Sequence, residues 1–317
     1  MSLKTMRSCL LASLTILCGF LSSQVPSAQQ TPPQPSPTVN VKTFATTEQA
    51  LAALISAAEK FDEEAVEQIF GPEGKDILLT AEPPHDREIA HTFADLAREK
   101  KSVSIDPTNR NHAVILVGKD EWPFAVPLVR RNGQWYFDTR AGIQELTYRR
   151  VGGNELDAIE ICQGFVEAQE EYALQKHDGS GVNQYAQRII STPGKRDGLA
   201  WQTADGKWEG PIGENVATAI DKGYAEGQPY HGYYFKILKG QGPAAPLGEM
   251  DYVIEGAMIG GFALVAAPAE YAVSGVKTFV VSNDGVVYEK DFGDTTLEEF
   301  KKIERFNPDG TWTPVGR

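Results

Sequence analysis

The segment Ser191–Trp201, STPGKRDGLAW, sets a basic pair, an acid and a large aromatic on one turn-rich stretch. Lys195 and Arg196 have the chemistry to take a carboxylate or phosphate group, with Asp197 beside them and Trp201 offering a flat apolar face. A structural alternative stands next to this one: Arg196 pairs with a local carboxylate and Trp201 plugs the edge of a core. His231, in PYHGYY, can carry a proton or hydrogen-bond the backbone. These five residues, Lys195, Arg196, Asp197, Trp201 and His231, are the candidate ligand- or partner-binding set. A Ser191, His231 and Asp197 triad can be written down, but no nucleophile elbow accompanies it.

Other chemistry lacks its defining residues. HExxH, CxxC, GxSxG and a phosphate-cradling glycine loop are absent from the sequence, so zincin, redox, α/β-hydrolase and P-loop mechanisms are not indicated. His177, Asp178, Ser180 and Gly181 have the flavour of a calcium loop. The register fails, because Lys176 and Gln187 stand where the first and last carboxylates belong, and a capped loop leading into a helix near Asn183 is expected instead. No metal and no cofactor is expected. Cys162 falls on an apolar helical stripe with Ile159, Phe165 and Val166, which predicts a buried, inert thiol.

These groups must be positioned by helices and strands whose signals are clear. Thr46 and Gln49 have capping-box spacing before Leu51, Leu54, Ile55 and Ala58. Asp62 caps a second helix with Val66, Ile69 and Phe70, which Gly71-Pro72 stops. A third, from about Arg87 to Arg98, carries Ile89, Phe93 and Leu96. Strand patterns follow over 113–117, 122–129 and 135–137, the last two joined by a tight turn at Asn132-Gly133. A long helix from Asn154 to about Ala173 opens the second half, followed by strands over 233–238, 252–254, 261–266, 277–281 and 286–290. Helices followed by antiparallel strands, twice, is an α+β layout.

The chain has 317 residues and a net charge of −13, which makes nucleic acid and anionic membrane surfaces poor partners. Lys4 and Arg7 precede an apolar run from Cys9 to Leu21 and small residues up to Ala28, the pattern of a signal peptide over residues 1–28. That run is too short for a comfortable membrane span, and the bulky Leu17 before Cys18 is unlike a lipidation site. Residues 29–43 form a proline-rich linker. Of the 30 glycines, 24 lie from Gly152 onward, where acidic residues also concentrate; this marks a boundary between domains at 44–150 and 151–317.

Helices first and a GQWYFD strand near the end of residues 44–150 resemble the NTF2-like fold. That resemblance implies a curved sheet with a site in its mouth, toward which Asp95, His112, Asp120 and Asp138 are candidates, while Trp122, Trp135 and Phe137 read as core and hairpin packing. In the second half, the helix followed by GYYF, FALVAAP, SGVKTF and NDGVVYEKD is similar to a type IV pilin or pseudopilin head. The acidic residues Glu155, Asp157, Glu160, Glu167, Glu170 and Glu171 on that helix rule out a membrane-embedded filament core. Across nearly the whole chain, FDTRAGIQELTYRRVGGNEL, NELDAIEICQGFVEAQEEYA, STPGKRDGLAW, PYHGYYFKILKGQGPAAP and MIGGFALVAAPAEYAVSGVKTFVVSNDGVVYEKDFG resemble the bacterial DUF2950 family. The resemblance implies a secreted or periplasmic protein of unassigned activity. The expectation is an exported cell-envelope module that binds an envelope protein or glycan without catalysis, the alternative being an envelope hydrolase with its site at the domain junction or beside the 191–201 loop.

Overall fold

A computed structural model describes residues 41–74, 83–213 and 229–316, with side chains omitted for residues 83–86. The signal-peptide assignment and Cys18 lie outside the described residues. Helix α1 (Thr47–Lys60) starts where Thr46 Oγ1 accepts the Gln49 N–H at 3.2 Å and Gln49 Oε1 accepts the Ala45 N–H; α2 (Glu63–Phe70) starts where Asp62 accepts from Ala65. Each cap satisfies donors that the first helical turn would leave open. Helix α3 spans Pro83–Glu99.

An antiparallel sheet packs against these helices. It runs β1 (Lys101–Ile105), β2 (His112–Val117), β4 (Leu128–Arg131), β5 (Gln134–Phe137), with the short β3 (Trp122–Pro123) added to β2. The single strand expected over 122–129 is broken, because Pro123 and Pro127 remove two ladder donors. Asn132 and Gly133 both have positive φ, as a tight hairpin turn between right-twisted strands requires. Leu54, Ile69, Phe70, Ile115, Leu128 and Phe137 form the core beneath.

Helix α4 runs unbroken from Thr139 to Tyr172, about 50 Å at 1.5 Å per residue, and so begins well before Asn154. Asp138 caps it by accepting the Ala141 N–H. The expected boundary near Val151 falls inside this helix. Its first turns press on the bend between β3 and β4 so closely that a Cβ on Gly142 would come 2.6 Å from Val126 Cγ2. Its later turns supply Ala158, Cys162, Phe165 and Val166 to a separate core.

That second core lies on an antiparallel sheet. Strands β9 (Tyr233–Leu238), β14 (Ala263–Pro268), β15 (Lys277–Ser282), β16 (Val287–Asp291) and β17 (Thr313–Pro314) are ordered β17-β16-β15-β14-β9. Two small pairs, β10 (Gly240–Gln241) with β11 (Met250–Asp251) and β12 (Val253–Ile254) with β13 (Ala257–Met258), join β9 to β14, and the short α5 (Thr296–Lys302) follows β16. Helix and sheet are clasped by polar contacts: Asn154 Nδ2 donates to Ser274 O at 2.8 Å, and Glu155 Oε1 accepts from the Val276 and Lys277 N–H groups. A third sheet pairs β6 (Arg188–Ile190) parallel with β7 (Gly198–Gln202), and β7 antiparallel with β8 (Trp208–Glu209). No helix starts near Asn183. The Gln169 amide takes both the N–H and the C=O of Ala186, and Tyr185 N–H bonds Met258 O, which holds the segment extended.

Candidate functional site

The first core is incompletely filled. Between α1, α2 and α3 on one side and β3 and α4 on the other lies a cavity of about 360 Å³, in the range of about 300–1,000 Å³ that small-molecule sites occupy. Leu54 and Ala57 of α1, Val66 of α2, Phe93 and Leu96 of α3 and Val117 of β2 wall it. Phe124 spans its floor, 5.2 Å from the Phe93 ring centroid. Among the apolar groups of the lining that reach solvent are Trp122, 61 % exposed, Ile89, 45 % exposed, and the half-buried Phe61.

Two local devices shape this opening. Phe61 closes α1 with φ of 48°, a left-handed conformation that disfavours a bulky side chain. Its N–H is held by the carbonyls of Ala57 and Ala58, and Arg87 lies over its ring at 5.1 Å. Arg149 of α4 is fixed by donating Nε–H to Glu145 Oε1 at 2.8 Å and Nη1–H to Pro123 O at 2.9 Å. The guanidinium is thereby anchored to the backbone of β3, beside Trp122.

None of the four polar residues expected at a cone mouth lines the cavity. Asp95 pairs with Arg98 on the face of α3, His112 and Asp120 are exposed, and Asp138 is spent as a helix cap. Trp135 and Phe137 are buried as expected, whereas Trp122 is not. The apolar residues of α1 and α3 were legible as core, but nothing in their spacing says that a cavity is left between these helices and β3 and α4.

The Ser191–Trp201 loop is a separate, tightly pinned feature. Tyr172 OH donates to Arg196 O at 2.5 Å, and Asp178 accepts the Arg196 N–H at 2.7 Å. Burial alone would raise the Asp197 pKa, yet the Thr192 N–H and hydroxyl at 2.7 and 2.8 Å, with Arg188 nearby, hold it below the usual carboxylate range. Lys195 is exposed. The Arg196 guanidinium lies 5.2 Å from the Trp201 ring and 3.9 Å from Glu209, while Trp201 Nε1–H donates to that same carboxylate. Both charges are therefore exposed, and the double substitution Lys195→Ala, Arg196→Ala should move Tm by less than about 2 °C, since an exposed pair contributes about 1 kcal/mol or less. A drop of many degrees in a thermal melt would show instead that the loop depends on a buried charge.

The triad is not assembled. Ser191 Oγ accepts the Gly198 N–H, Asp197 is committed to Thr192, and His231 Nδ1 pairs with Asp157 of α4 at 2.6 Å. The calcium-like loop is spent in the same way: Asp178 accepts the Arg196 N–H across from the 191–201 loop, and Ser180 closes its own turn through Val182. Among the described residues no cluster of three or more His, Cys, Asp or Glu side chains is placed to hold a metal ion. A polar hollow of about 400 Å³ borders Asp197, with Arg188, Gln187 and Lys239 on its walls. Its groups largely satisfy one another: Lys239 donates to Gln187 Oε1, and Gln187 Nε2 donates to Gly256 O.

A family model described as "Protein of unknown function (DUF2950)" matches residues 41–315. The chain belongs to this family. Comparison with curated proteins and with solved structures found no match.

The match covers both cores of this DUF2950 protein, the cavity and the pinned loop alike. It also covers Cys162, which is fully buried and whose pKa burial pushes up to about 12. A thiol held protonated and out of solvent is unreactive. Maleimide should leave it unlabelled in the native protein and label it fully in denaturant; fast native labelling would contradict its burial.

Proposed function

We propose that the protein is an exported cell-envelope binding module, periplasmic or secreted, that takes a small apolar molecule into the cavity between α1 and α3 and carries out no chemistry on it. Support for export comes from the signal-like first 28 residues and the proline-rich stretch after them. The observation that carries the binding reading is the cavity's lining. Glu63 and Arg149 are the only titratable side chains among its described lining residues, so the walls offer a ligand area to bury but no nucleophile with an adjacent base. Such walls favour a small molecule over the glycan or envelope protein expected from sequence, because sugar hydroxyls would find few partners there.

Phe61 adds to this reading. A helix that needed only an end would close with glycine, whereas here a bulky ring occupies the left-handed position and lines the cavity.

The test is titration of the mature protein with the uncharged fluorophore N-phenyl-1-naphthylamine. Saturable one-to-one binding with a blue-shifted emission is expected. Ala90→Trp, which places an indole in the cavity from α3, should abolish it. Absence of saturable binding to the unaltered protein would remove the reading.

A further inference from the structure

Beyond an apolar interior, the opening has a chemical polarity. We infer that the ligand is a single-chain amphiphile whose anionic head, a carboxylate or phosphate, rests on Arg149 while its tail runs inward along Leu54 and Phe93. This rests on the reading of the cavity as a binding site and adds the ligand's class to it.

The charged groups of the lining differ in what each has already spent. A guanidinium carries five N–H donors in a fixed plane. Arg149 uses two of them, on Glu145 and on the Pro123 carbonyl, and among the described residues the others have no protein partner. Those two bonds fix the plane before any ligand arrives, so little freedom is lost when the remaining donors engage an anion. Glu63 is the competing charge. It lies in the first turn of α2, where a carboxylate is favoured by the helix dipole without any ligand. Among the described residues no hydrogen bond or ion pair holds its side chain. A cationic head would therefore have to immobilise Glu63 itself, whereas an anionic head meets a donor already in place.

Trp122 supplies the second part of the fit. It is adjacent in sequence to Pro123, whose carbonyl anchors Arg149, and it is 61 % exposed. An exposed indole beside a fixed guanidinium, at the rim of an apolar cavity, suits a molecule that is charged at one end and apolar just below it. Arg87, held over Phe61, adds positive charge beside the same lining.

The test is displacement of N-phenyl-1-naphthylamine by four ligands with the same tail: decanoate, decyl phosphate, decanol and decyltrimethylammonium. At least one of the two anions should bind about tenfold more tightly than decanol, and the tighter of them names the head group. Arg149→Gln should reduce that anion to the level of decanol. Should this variant misfold, methyl decanoate with the unaltered protein provides the same comparison, because esterification removes the charge and keeps the tail; it is expected to lose the advantage of decanoate. Equal binding of anions and decanol, or tightest binding of the trimethylammonium compound, would overturn the assignment of the head while leaving the cavity as a site for apolar ligands. Failure of the fluorophore itself to bind would fall on the earlier reading instead.

Discussion

Phe279→Ala is expected to cost about 3–5 kcal/mol of stability, the range for deleting a fully buried aromatic ring. Phe279 is in β15, inside the five-stranded sheet, with no exposed surface and with the Tyr233 ring centroid 5.9 Å away. Tyr233 itself is held by donating its hydroxyl to Lys277 O at 2.9 Å. The neighbours therefore have little freedom to collapse into the space left behind, which places the cost toward the upper part of that range. Against a total stability of about 5–15 kcal/mol, the loss is large. Urea unfolding should show a strongly lowered midpoint with an unchanged slope. A change below about 1 kcal/mol would mean that this sheet is not the packed centre of the second core.

Gly198→Ala is expected to cost about 3 kcal/mol through overpacking. A Cβ there would lie 2.7 Å from Ser191 N, 2.8 Å from Ile190 C and 3.0 Å from Ser191 Cα. All three are backbone atoms, so no side chain can swing away. Relief would have to come from opening the parallel β6–β7 pair, where Arg188 faces Gly198 and Ile190 faces Ala200. The Ser191 Oγ bond to Gly198 N–H would go with it. Hydrogen exchange should then quicken at Ser191, whose N–H bonds Ala200 O, while the clasp between α4 and β15 stays protected. Unchanged thermal stability and exchange would mean that β6 and β7 are not held this closely.

Local features of the fold are legible in the sequence, and long-range ones are not. Thr46 with Gln49, and Asp62, announced their helices because a cap is a local event: a side chain meets an N–H two or three residues away. The Asn132-Gly133 turn was legible for the same reason. The strands at 233–238 and 277–281 were legible from their runs of aromatic and β-branched residues, and the second is buried almost throughout because it lies inside the sheet. Helix α4 begins at Thr139, well before the Asn154 start that the sequence suggests, and runs through Gly152 and Gly153, where the composition changes. Two glycines cost a helix about 1 kcal/mol each relative to alanine, and the helix continues through them because its two ends are anchored in different cores.

The site was harder to see for a different physical reason. Charge, turn chemistry and an aromatic made the 191–201 loop conspicuous, yet most of that chemistry is spent on the loop's own closure: Asp197 on Thr192, the Arg196 backbone on Tyr172 and Asp178. The cavity is made by residues that read as ordinary core. Whether Leu54 and Phe93 meet further side chains or leave a space is decided by the long-range placement of β3 and α4 against the helices and by where β3 ends. Trp122 carried a faint signal, an aromatic between Glu121 and Pro123, but its exposure depends on β3 being only two residues long.

The claim that an apolar molecule enters the first core is tested most directly by methyl-labelled NMR during titration with N-phenyl-1-naphthylamine. Methyl resonances of Leu54, Val66, Leu96, Val117 and Val126 should shift together and saturate at one equivalent, while those of Val265, Val280 and Val281 in the second core stay in place. Shifts confined to the second core, or no shifts at all while the protein remains folded, would contradict it.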